Sequence, residues 1–121
     1  MKVEKVIYYS SENGVSPVLK YIESLDENTK ELIYNSINTF AKEFPEVKTV
    51  KIKHMRDKFW KIKLTDRFKR NHRIVYVVIN NTAIILHAFQ KRNAKHPPVT
   101  KMGVPGRLND IIGRLSLYLL S

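Results

Sequence analysis

Between Val50 and Leu64 lysine occurs at every second position on both sides of a short connection: Lys51 and Lys53, then Lys61 and Lys63. The positions between them, Val50, Ile52, Trp60, Ile62 and Leu64, are apolar or aromatic. A period of two puts alternate residues on opposite faces of a strand. If residues 54–59 turn the chain back, antiparallel partners sum to about 114, so Lys51 stands opposite Lys63 and Lys53 opposite Lys61. Four ammonium groups on one face disfavour each other's protonation and lower each other's pKa. Such a lysine can stabilise charge developing on a phosphate, and one lowered toward neutrality can also take a proton. The plainer reading is that lysine is only the polar half of an amphipathic strand. Arg73 opens an apolar strand on the side shared with Val75 and Val77, and its planar fork matches phosphate; an ion pair with Asp66 is the alternative. The run FQKRNAKHPP at 89–98 gathers Lys91, Arg92, Lys95 and His96, either for a polyanion or as a solvated basic loop. His54 and His96 adjoin these clusters and could serve as general acids, the role imidazole commonly plays, whereas His87 lies in an apolar run and reads as a hydrogen-bonded core residue.

Other chemistries drop out. The chain has no cysteine, which removes disulfides, thiolate zinc sites and thiol catalysis, and fits a reducing cytoplasm. The histidines show no HExxH spacing, so no metal site and no cofactor are expected; Ser10 and Ser11 lack a GxSxG context, and neither GxGxxG nor a P-loop occurs. The longest apolar runs are strand-sized, and the N-terminus lacks a long hydrophobic stretch, so neither a membrane span nor an export signal is expected.

Charge is unevenly spread. Of the 121 residues, positions 1–46 hold eight acids and five bases, whereas 47–121 hold three acids and seventeen bases, for an overall net charge of +11. A polyanion binds such a surface by releasing condensed counterions, so nucleic acid is the first candidate partner, beside an acidic protein or a merely solubilising surface.

The elements that must position these residues follow from pattern. Val3 to Tyr9 reads as a strand ended by the turn formers of 10–14. Ser16 and Pro17 start a helix with Val18, Ile22 and Leu25 on one face. Asp26 caps a longer helix carrying Ile33, Ile37, Phe40 and Phe44, and Pro45 ends it. After the lysine hairpin, Asn80-Asn81 turns between strands at about His72–Ile79 and Ala83–Phe89. The expected fold is α+β: a helical hairpin on one face of a twisted, mainly antiparallel sheet, in the order βααββββ, with a further amphipathic segment near the C-terminus.

Three segments, FWKIKL at 59–64, HRIVYVV at 72–78 and IILHAFQKRNAKHP at 84–97, resemble the RelE/HigB-like toxins of bacterial type II toxin–antitoxin systems, above all the phage-derived HigB-like branch. The resemblance runs over roughly residues 3–98. It implies a RelE-like fold whose basic face holds messenger RNA within the ribosome, a metal-independent cleavage by attack of the ribose 2′-hydroxyl, and a cognate antitoxin as partner. By position it assigns catalysis to Arg73, Lys63 and Lys91, and RNA contact to Arg92 and Lys95. Lys51, Lys53, Lys61 and His96 join them from the basic face. Lys61 stands where the branch often has glutamate, and His72 replaces a tyrosine; without that glutamate, a lysine or His54 must serve as the base.

The chain therefore divides into a RelE/HigB-like domain at 1–98 and a divergent tail at 99–121. Gly103, Pro105 and Gly106 would break a helix there, and an amphipathic segment would begin near Leu108, with Ile111, Ile112, Leu115 and Leu119 on one side. It could pack on the sheet or await a partner. Two other functions fit the same residues: an inactive RNA- or ribosome-binding module, and a gyrase inhibitor like the ParE toxins.

Overall fold

A computed structural model of the protein describes residues 2–92 and 103–120, the side chains of 115–120 excepted. Strand β1 (Lys5–Tyr8) precedes helices α1 (Pro17–Glu23) and α2 (Glu27–Glu43), strands β2 (Lys51–Arg56), β3 (Phe59–Thr65), β4 (Asn71–Ile79) and β5 (Thr82–Lys91), and helix α3 (Val104–Leu120). The five strands form one sheet in the order β1-β5-β4-β3-β2. Three pairings are antiparallel, but β1 joins β5 in parallel, so this α+β fold rests on a mixed sheet.

Local chemistry sets the helix starts. The Ser16 hydroxyl accepts from the Leu19 N–H at 3.2 Å and Pro17 follows in the first turn, while the Asp26 carboxylate accepts from the Thr29 N–H at 3.2 Å. These caps satisfy donors that a helix cannot pair internally. One face of the sheet takes α1 and α2: Val18, Ile22, Ile33, Ile37 and Phe40 are buried against Ile62, Ile74, Tyr76 and Ile85.

The opposite face carries α3. Val104, Leu108 and Ile111 are buried with Tyr9, Phe59, Val75, Val77, Ile84 and Leu86 in a second core. The helix thus begins before Leu108 and passes through Pro105 and Gly106, contrary to the expectation that these residues break it. The reason is position: in a first turn the N–H that proline lacks has no helical partner to lose. Gly103, at φ +72°, supplies the turn into the helix, and its carbonyl accepts from the Arg107 N–H at 3.1 Å.

Polar contacts fix the helix further. Arg107 Nη1 donates to the Leu86 carbonyl at 2.8 Å, where a bulge in β5 makes Leu86 an extra residue between the partners of Val75 and Tyr76. The Tyr9 hydroxyl donates to Asp110 at 2.9 Å, and Arg114 donates to the Ser10 carbonyl and to Asp110. Because Leu108 sits in this core, Leu108→Ala is expected to cost about 2–4 kcal/mol, measured by urea unfolding. Among the described residues no helix is long and apolar enough to cross a membrane.

Candidate nucleic-acid interface

The strand register draws the basic residues into rows. Lys51 pairs with Lys63, Lys63 with Arg73, and Arg73 with Phe89, giving one row across β2, β3, β4 and β5. Next to it run Lys53, Lys61, Val75 and His87, and on the other side Thr65, Asn71 and Lys91. Directly opposed residues in such pairs lie about 4.5–5.5 Å apart at Cα, so the cations share one continuous surface on the α3 side of the sheet.

Arg73 is its most constrained member. It is 6% exposed; its Nη1 donates to the His72 carbonyl at 3.0 Å, and its buried Nε has no hydrogen-bond partner among the described residues. The alternative of an ion pair with Asp66 does not hold, because Asp66 is held by Arg70 and His72 at 2.6 and 2.8 Å. Burial also depresses the Arg73 pKa. Lys61, equally buried at 6%, is pushed down to about 8, first by burial and then by Arg73, Lys53, Lys91 and Lys63. Lys63 is lowered too, chiefly by Arg73. A groove of about 670 Å³ adjoins the row, lined by Lys51, Lys63 and Arg73 together with Asn35, Ser36 and Thr39 of α2. Cations and neutral hydrogen-bonding groups thus line one cleft, which suits a phosphate with a polar substituent beside it.

Several residues singled out in the sequence fall elsewhere. His54 pairs with Trp60, and the alternation along β2 and β3 puts both on the face of α2, opposite the lysines. There Trp60, 37% exposed, borders an apolar pocket of about 300 Å³ with Phe44, Pro45, Ile52 and Tyr76. The His54 ring lies 5.1 Å from that of Trp60, and its Nε2 is 2.5 Å from the Asp57 carbonyl. Arg92, exposed just past β5, acts electrostatically on Tyr21 of α1. Lys95 and His96 lie outside the described residues. His87 ends the second row; burial and then Arg107 bring its pKa down to about 4, and its Nδ1 accepts from Arg107 at 3.1 Å. That neutral imidazole anchors α3.

A buried polar chain behind the site had escaped the sequence. Asp66 accepts from the Phe68 N–H at 2.8 Å, the Arg70 N–H at 3.0 Å, Arg70 Nε at 2.6 Å and His72 Nε2 at 2.8 Å. His72 Nδ1 lies 2.7 Å from the Tyr21 hydroxyl, and Arg70 reaches Asp26 at 2.6 Å. Burial alone would raise the Asp66 carboxyl, but the bonds from His72, Arg70 and Phe68 outweigh it and hold it well below the usual carboxylate range. The available signal was an aspartate opening a polar turn between two strands, where its side chain can bond the backbone ahead.

No curated protein matches the chain. One family model does match, that of the Phage derived protein Gp49-like group (DUF891), over residues 20–102. The matched stretch contains the three basic rows and well over half of the sequence, and so the chain belongs to the phage-derived Gp49-like family.

Proposed function

We propose that this protein is the toxin of a type II toxin–antitoxin pair, an endoribonuclease that cleaves messenger RNA on the ribosome without a metal. The family is a RelE/toxin-like group, which supports the toxin role. The observation that carries the chemistry is the cross-strand row Lys51–Lys63–Arg73 with Lys61, lowered to about 8, beside it.

In this reading Arg73 and Lys63 hold the scissile phosphate and the extra charge of the phosphorane. The neutral form of Lys61 takes the proton from the 2′-hydroxyl as that oxygen bonds to phosphorus. The P–O5′ bond then breaks, and the ammonium of Lys91 returns a proton to the leaving oxygen, giving a 2′,3′-cyclic phosphate and a 5′-hydroxyl. His54, on the other face, is replaced by Lys61 as the base. Lys51 and Lys53 extend the binding surface, and the antitoxin covers it with an acidic segment.

The test is a translating extract in which messenger cleavage is mapped by primer extension. Discrete new 5′ ends support the assignment. Lys61 acts when deprotonated, so the cleavage rate is expected to rise about tenfold per pH unit below about 8 and to level off above it. Messenger left intact by protein that still binds RNA would instead make this an inactive RNA-binding module.

A further inference from the structure

The turn between β3 and β4 presents Phe68 to solvent, 55% exposed, at the tip of a hairpin where a polar residue would be expected. Its ring is flanked by two guanidiniums, with Arg67 Cζ 4.8 Å and Arg70 Cζ 5.1 Å from the ring centroid. Neither arginine is loose. Asn28 of α2, with its amide oxygen turned toward Arg67, accepts from both terminal nitrogens at 2.9 and 3.1 Å, while Arg70 is held by Asp26 and Asp66. The backbone is fixed as well: Asp66 and Arg70 pair at 3.0 Å, the Lys69 N–H donates to the Asp66 carbonyl at 3.0 Å, and Lys69 adopts φ +64°.

We propose that this turn is a second RNA contact, in which Phe68 and its flanking guanidiniums stack on an unpaired base adjacent to the phosphate held by Lys63 and Arg73. The inference rests on the RNA-cleavage reading of the basic face. Position favours it, since the turn closes the two strands that carry Lys63 and Arg73, and five residues of chain span at most about 17 Å. Chemistry favours it because unpaired RNA bases stack on aromatic rings and arginine planes, and because Arg67, Lys69 and Arg70 outnumber the single acid of the turn. Rigidity adds to it, since a surface ordered before binding loses little freedom when the base arrives.

The test is fluorescence anisotropy at low salt with a labelled single-stranded RNA and the same strand carrying abasic sites. Phe68→Ala is expected to weaken binding of the complete strand about tenfold and to leave the abasic strand unchanged, whereas Phe68→Trp keeps wild-type affinity. Equal affinity of Phe68→Ala and wild type for the complete strand, or equal loss on both strands, overturns the proposal. So does a defect confined to binding of poly-glutamate, which would make the turn a contact for an acidic protein. Lys63→Ala separates the two readings. If it weakens RNA binding while Phe68→Ala does not, only the turn proposal fails; if neither matters, both fail.

Discussion

Arg73→Ala is expected to lower RNA cleavage by about 10²–10³-fold, the usual cost of removing one group that stabilises charge developing in a transition state. Primer extension in the translating extract measures it, and cleavage kept within threefold of wild type would remove Arg73 from the chemistry. Folding should respond in the opposite direction. The guanidinium is buried among lysines, bonds one carbonyl, and has no partner for its Nε among the described residues. Burying such a charge costs more than burying an apolar side chain of similar volume. Arg73→Met should therefore stabilise the protein by about 1–2 kcal/mol, raising Tm by roughly 4 °C or more. It should also move the Lys61 titration above about 8, since Arg73 is the largest electrostatic cause of its depression after burial. A more stable, inactive variant would show that the site is held at the expense of the fold.

The second large effect concerns Asp66. Asp66→Asn takes the carboxylate away from buried His72 and from Arg70, which keeps Asp26 as its other acid, and should cost about 1.5–3 kcal/mol in urea unfolding, the range for losing hydrogen bonds to a charged group. Its pH dependence has a definite sign. Because the folded carboxyl lies below its ordinary value, the contribution is fully present above the unfolded pKa of about 3.9 and is lost as pH falls below that. The stability gap between wild type and Asp66→Asn should thus be constant at neutral pH and close in acid; a gap that persisted unchanged to pH 2 would contradict it.

The basic rows were legible in the sequence because period two fixes which side chains share a face, and the pairing of Lys51 with Lys63 and Lys53 with Lys61 follows from the position of the turn alone. The same parity already separates His54 from Lys53, and proximity in sequence was the wrong guide to that histidine. Pro105 and Gly106 misled because a breaker in a helix interior is harmless in a first turn, and only the docking of Val104 and Leu108 on β4 and β5 shows which applies. Two features had no sequence period at all. The groove wall formed by Asn35, Ser36 and Thr39 exists only where the polar side of α2 meets the end of the sheet. Arg73 and Lys61 are shifted by burial, and Lys61 also by charges on four strands, so their pKa values belong to the assembled sheet rather than to any segment.

The parallel seam between β1 and β5 also sets an order in time. Lys5 lies beside Thr82 and Tyr8 beside Ile85, so the first strand to be synthesised has no docking place until the last strand has been made. The β2–β3 and β4–β5 hairpins close locally, whereas this seam must close a loop spanning most of the domain, which makes it a slow, late step. A growing chain would thus expose an incomplete sheet until β5 has been made, and the basic face that spans β2 to β5 would be assembled only then.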